Sequence, residues 1–166
     1  PLLDAPDFIR YPIRMKTYVL GFAFSPDKQT VLLIKKNRPT WQAGKLNGVG
    51  GKIEEGETPA QAMVREFEEG TGIKSTEADW QPYAHLGSIK DDANPWSMHV
   101  FCTFTLPLHT AQSQTDEEVM QVPVNLEKLG LIGITNLPWL IGLAIDPDLP
   151  RIQMTATYQG HVTGQA

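Results

Sequence analysis

The sequence predicts a mixed α/β (α+β) domain, with a mixed β-sheet sandwiched between helices. Three observations carry that expectation. Two strand-like apolar runs precede a long glycine-rich segment, one stretch of helical spacing follows it, and three further strand-like runs lead to a second, apolar helix. The resulting order, β-β-loop-α-β-β-β-α, is not the strict alternation that builds a parallel doubly wound sheet. At 166 residues the chain is expected to form one domain, 1–166, with a sizeable core.

The elements follow in order. Residues 1–13, broken by prolines, read as an irregular lead-in. MKTYVLGFAF (15–24) is rich in β-branched and aromatic residues, Ser25-Pro26-Asp27 makes a turn, and TVLLIKK (30–36) returns as a partner strand. Residues 37–59 form a glycine-rich loop with a short strand near its centre, and loops of that length in a compact domain usually carry function. Thr58 is placed to cap a helix that Pro59 opens, and Gly72 to stop it; Ala60, Met63, Val64 and Phe67 supply its apolar side. WQPYAHLGSIK (80–90) and WSMHVFCTFTL (96–106) read as strands around a DDANP turn. In the second, Trp96, Met98, Val100, Cys102, Phe104 and Leu106 alternate, which implies one buried face. Residues 119–125 predict a short edge strand because of Pro123, and 134–145 a buried helix entered at Asn136 and Pro138. From 150 to 166 the pattern is lost and a loose tail is expected.

Bulk properties exclude several classes. A net charge of −5, a pI near 5.3 and the lack of a basic run argue against a nucleic-acid polymer as partner. No apolar run is long enough to span a membrane, the start lacks a signal-peptide pattern, and the single Cys102 suits a reducing compartment; the expected location is cytoplasmic. Cys102 itself, within an alternating apolar run, reads as core filler. His85 and His99 fall inside strands and read as structural.

Chemistry gathers between residues 51 and 73. Glu54, Glu55 and Glu57 lie in the glycine-rich loop, and Glu66, Glu68 and Glu69 on the helix that follows. Bare phosphate would be repelled there unless a hard divalent cation intervened. Glu66 and Glu69, three apart, share a helix face and suit such an ion, whereas Glu68 points elsewhere. Taken alone, these acids could equally be solvated surface.

The spacing of Gly51, Glu57, Arg65-Glu66-Phe67-x-Glu69 and Gly72-Ile73 resembles the Nudix box of the Nudix hydrolases. KLNGVGGKIEEGET (45–58), HVFCT (99–103) and TDEE (115–118) are similar to the 8-oxo-dGTP branch, so the resemblance covers most of 15–130. It implies a Nudix-type fold and a metal-dependent pyrophosphohydrolase of nucleoside triphosphates or a related nucleoside diphosphate derivative, oxidised purine nucleotides among them. The cofactor it implies is Mg2+, with Mn2+ as the substitute, and the partner a small nucleotide. Carried over, Glu66 and Glu69 become the catalytic pair. Gly51, Glu66, Glu69 and Glu118 become the metal-binding set, with Glu117 a near rival to Glu118. Glu57 and Arg65 become a structural ion pair, beside Gly72. Asn47 would read the purine, with Trp41 and Trp139 as stacking surfaces; for Asn47 a turn-forming role and for the tryptophans a core or rim role stand as alternatives. One position departs: Gly70 stands where the family has a second adjacent glutamate. The acidic pair expected after Trp139 for oxidised guanine is also missing. Asp91, Asp92, Glu117 or Glu118 could supply an acid from a loop. The alternative reading is therefore a nucleotide-binding or regulatory Nudix module with impaired catalysis.

Overall fold

The computed structural model describes residues 14–88, 93–149 and 153–159. Eight strands form one mixed sheet: β1 (Lys16–Phe24), β2 (Thr30–Lys35), β3 (Leu46–Asn47), β4 (Val49–Lys52), β5 (Gln81–Ser88), β6 (Trp96–Thr103), β7 (Glu118–Pro123) and β8 (Met154–Tyr158). Three α-helices accompany them: α1 (Pro59–Thr71), α2 (Leu126–Ile132) and α3 (Leu137–Ala144). The main strand path runs β3-β2-β1-β6-β5-β8, with β4 on β1 and β7 on β2. β1 is the organising strand. It lies parallel to β6 from Lys16 to Ala23; on its other edge it pairs with β4 at 18–21 and then with β2 at 23–24.

The alternation of β1 sorts the interior into two layers. Leu20, Phe22 and Phe24 point to a core shared with Val100, Cys102, Leu137, Leu140 and Ile141, which lies beneath α3. Val19 and Ala23 point the other way, to Met63 and Phe67 of α1, with Trp80 closing the layer. This is the helix–sheet–helix sandwich the sequence predicts. Tyr83 anchors one layer by donating its hydroxyl to the Leu140 carbonyl at 2.9 Å. Cys102 is fully buried and its thiol is pushed up to about 12, as a core filler's would be. His85 and His99 pair across β5 and β6 with ring centroids 4.9 Å apart. No helix among the described residues is long and apolar enough to cross a membrane.

The local signals around α1 hold. Thr58 accepts from the Gln61 amide at 3.2 Å while Gln61 accepts from the Thr58 amide at 2.9 Å, a reciprocal cap. Gly72 ends the helix at φ +74°, a conformation that suits glycine. Elsewhere the structure corrects the reading. The loop carries two short strands, β3 and β4, instead of one. α2 occupies 126–132, where no helix is expected; Asn125 caps it by accepting from the Lys128 amide at 2.9 Å. In place of a uniformly loose tail, 154–158 add β8 parallel to β5. Asp91 and Asp92 lie outside the described residues.

The β1–β4 contact is unusually close. A Cβ at Gly50 would collide with the Val19 carbonyl oxygen, so glycine lets β4 approach the organising strand. Gly50→Ala is expected to lose about 1–3 kcal/mol of stability in urea unfolding, the cost typical of overpacking. An unchanged midpoint would show that β4 can stand off β1 without penalty.

Candidate functional site

The site begins with how α1 lies over β4. The helix packs on β1 and β4 so that Glu66 sits above Gly51 and Gly70 above Val49. A Cβ on Gly51 would strike the Glu66 carboxyl carbon and both its oxygens. The absent side chain is therefore a cradle for that carboxylate, and it leaves the Gly51 backbone beside it.

Arg65 fixes this arrangement. Its guanidinium grips Glu57 with two parallel bonds, Nε to Oε1 at 2.6 Å and Nη2 to Oε2 at 2.9 Å, and donates again to the Lys52 carbonyl at 3.0 Å. Its remaining nitrogen, Nη1, reaches Glu66 at 2.8 Å and Glu69 at 3.3 Å. Glu57 in turn accepts from the Glu54 amide at 2.9 Å, closing the loop on itself. The Arg65 guanidinium, with that amide, holds the Glu57 carboxyl at about 2, well below its ordinary 4.5. Glu66 moves in the opposite direction. Burial raises its proton affinity, and the nearby Arg65 offsets this only in part.

Beside Glu66 lies a recess of about 110 Å3 lined by Ile34, Val49, Gly50, Glu66, Glu69, Gly70, Thr115 and Glu117. It unites Glu66 and Glu69 with Gly70, and its acid from outside the helix is Glu117. Glu118 does not line it; as the first residue of β7 it pairs with Lys35 and is exposed. Strand alternation explains the exchange. Val119 packs toward the α1 layer and Met120 toward the α3 layer, so Glu117 shares the α1 side and Glu118 does not. Three further residues enter that sequence reasoning did not single out. Lys36 bonds Glu117 at 2.9 Å and the Asn37 amide donates to it at 2.8 Å, while Thr115 completes the wall. The same alternation along β2 would have found Lys36 two residues past Ile34. A wider depression of about 640 Å3 runs along the outer side of α1, by Glu68, Thr76 and Glu77; it holds no second part of the predicted site beyond Arg65 and Glu69.

The three proposed base contacts are not gathered in the recess. Asn47 is buried opposite Ile34; its Oδ1 accepts from the Gly48 amide at 2.7 Å and its Nδ2 donates to Gln42 at 3.2 Å. Both bonds stay within its own segment, where Asn47 ends β3. Trp41 is half-buried against the α3-side core, and Trp139 shows 38% of its surface on α3.

The donor set suits a hard divalent ion, since the Glu66 carboxylate lies against the Gly51 backbone in a cradle that a Cβ would fill. It is a lean set. Among the described residues no three Asp, Glu, His or Cys side chains are arranged to hold a metal by themselves.

Comparison with known proteins gives concordant results. The NUDIX domain family model matches residues 15–139. Among solved structures, MutT from Aliivibrio salmonicida and Vibrio cholerae is 25% identical, with a TM-score of 0.58 over 83% of this chain and 96% of that one. The mutator MutT protein from Bacillus halodurans is 15% identical, with a TM-score of 0.64 over 89% and 92%. The NUDIX domain of Shewanella oneidensis NrtR, complexed with ADP ribose, is 20% identical, with a TM-score of 0.64 over 79% and 86%. The last two similarities speak to the fold alone.

The lowered Glu57 carboxyl makes the loop-to-helix clamp pH-dependent. A folded value below the unfolded one contributes stability that is complete above 4.5 and lost as pH falls toward 2. The stability difference between wild type and Glu57→Gln, from urea midpoints, is expected to be flat above about pH 5 and to shrink below it. A difference that stays constant through the acid range would remove the clamp from the account.

Proposed function

We propose, on the premise that this chain belongs to the NUDIX domain family and is a Nudix hydrolase, that it cleaves nucleoside triphosphates to the monophosphate and pyrophosphate with a divalent metal, Mg2+ or Mn2+. The observation that carries this reading is the Glu66 carboxylate cradled over Gly51. Glu66, Glu69 and Glu117, with the Gly51 carbonyl, would hold the cation, while water and phosphate oxygens fill its remaining positions. Bound there, it would offset phosphate charge and make a water more acidic.

The protein's own groups account for the rest. Glu66, held over Gly51 beside the place proposed for the cation, is assigned the proton of the attacking water. A new bond from that water oxygen to one phosphorus replaces its bond to the bridging oxygen, and the fragment that keeps the bridging oxygen departs with the electron pair. Arg65, tied to Glu57, holds Glu66 and Glu69 in place. For the base, exposed Trp139 and half-buried Trp41 are proposed as stacking surfaces, and Asn47 as the residue that reads the purine. The lean metal set predicts slow turnover.

A second reading is favoured by Gly70, which places no carboxylate in the recess: a nucleotide-binding module whose hydrolysis is impaired. The two readings separate in a Mg2+-dependent screen of canonical and oxidised nucleoside triphosphates, ADP-ribose and dinucleoside polyphosphates, followed by phosphate and pyrophosphate release. Turnover of triphosphates supports the first; tight nucleotide binding without turnover supports the second.

Within the first reading, Glu66→Gln is expected to lower kcat about 10^2–10^4-fold, the usual worth of a general base, with an unchanged melting temperature in metal-free buffer. Wild-type turnover in that variant would place the chemistry elsewhere.

A further inference from the structure

The strand register carries two histidines into one row of the sheet. That row runs across five strands: Gly51 of β4, Val19 of β1, His99 of β6, His85 of β5 and Thr155 of β8. Val19 and Phe101 point to the α1 layer, while Val100, Leu86 and Met154 point to the α3 layer, so His99 and His85 stand on the α1 side. α1 itself packs on β1 and β4, and the row continues past it to half-buried His85 and exposed Thr155. Two strand spacings, about 10 Å, separate His99 from Gly51. Neither histidine lines the recess beside Glu66.

His85 and His99 lie directly opposite each other in an antiparallel pair, with ring centroids 4.9 Å apart and ring planes at 69°. An imidazole nitrogen bound at about 2.0–2.1 Å sets its ring centroid about 3.2 Å from the ion, so two rings at a tetrahedral angle lie about 5 Å apart. The two strands already hold that spacing. Turning each ring about its Cβ–Cγ bond leaves the centroids almost in place and lets a nitrogen of each approach one point. Both rings are half-buried, and among the described residues neither takes part in a hydrogen bond with a protein group. Burial, with His85 beside it, lowers the proton affinity of His99 and favours the neutral ring that binds metal. Neutral imidazole suits Zn2+, Cu2+ and Ni2+, whereas Mg2+ takes oxygen ligands.

We propose that His85 and His99 form a two-ligand site for one borderline transition-metal ion, of the class of Zn2+, Cu2+ and Ni2+, separate from the acidic recess and with water in the remaining positions. Two protein ligands make it an exchangeable site that ties β5 to β6, and not a closed structural centre. It stands independently of the activity proposed above.

A Zn2+ titration of the full chain in a large excess of Mg2+, read by calorimetry and by the imidazole 15N signals, tests it without reference to turnover. The expected result is one Zn2+ whose binding moves the His85 and His99 ring signals together while His109 stays in place. His85→Gln and His99→Gln are each expected to weaken that ion at least tenfold, and Glu66→Gln to leave its affinity unchanged. The ring signals are read on the wild type, so they decide the matter even where a variant fails to fold. Rings that stay in place at saturating Zn2+, or that move separately at different Zn2+ concentrations, would overturn the inference. So would an affinity unchanged in both histidine variants, or an ion lost in Glu66→Gln and kept in the other two, which would assign it to the recess.

Discussion

The forked contact between Arg65 and Glu57 is the constraint on which the site depends. It joins the loop after β4 to the first turns of α1, and a third bond from the same guanidinium reaches the Lys52 carbonyl at the end of β4. Exposed ion pairs contribute little. This one differs because both side chains are mostly covered and the geometry is bidentate, which aligns two bonds and adds specificity. With loop, strand and helix held together at one point, the next residue along the helix, Glu66, has its position over Gly51 set. The clamp is thus a positioning device built from a residue that need not touch substrate.

The glycines near it serve approach more than flexibility. Gly50 lets β4 come against β1, and Gly51 lets Glu66 come down on β4. Both are close approaches between backbone or carboxylate groups that any Cβ would prevent. Gly70 is of another kind. It sits in the last turn of a capped helix, one residue before its end, where glycine is a poorer helix former than alanine, and little stands in the way of a larger side chain. Its effect falls on the charge of the recess. Lys36 acts in the same direction, since it binds Glu117, the acid just before β7.

Much of this was legible in the chain. Thr58, Pro59 and Gly72 announced both ends of α1, and the run from 96 announced a strand; its alternation implied one buried face, but β6 lies between β1 and β5 and Ser97, Phe101 and Thr103 bury the other face as well. The spacing from Gly51 to Ile73 identified the acids that share the helix face. What the sequence hid has physical causes. Glu117 and Glu118 are adjacent and chemically alike, so motif position alone cannot separate them; the parity of Val119 and Met120 can, once the two layers are known. α2 is a short helix of seven residues whose Leu131 is 83% exposed, so its apolar pattern carried no consistent face. β8 is a five-residue strand with polar alternates, defined by its parallel pairing with β5, a long-range partnership that local composition does not encode. The base contacts were the least legible. Asn47 spends its amide on its own loop, and nothing in its residue type shows that.

The divalent ion is proposed to bind in the recess beside Gly51 and Gly70, and not in the wider depression on the outer side of α1 near Glu68 and Glu77. Paramagnetic broadening of backbone amide signals by substoichiometric Mn2+ locates the ion directly. The account predicts that Gly50, Gly51, Glu66, Gly70 and Glu117 broaden first, while Thr76 and Glu77 keep their intensity. Early loss of Thr76, Glu77 and Glu68 with Gly51 and Glu117 preserved would contradict it.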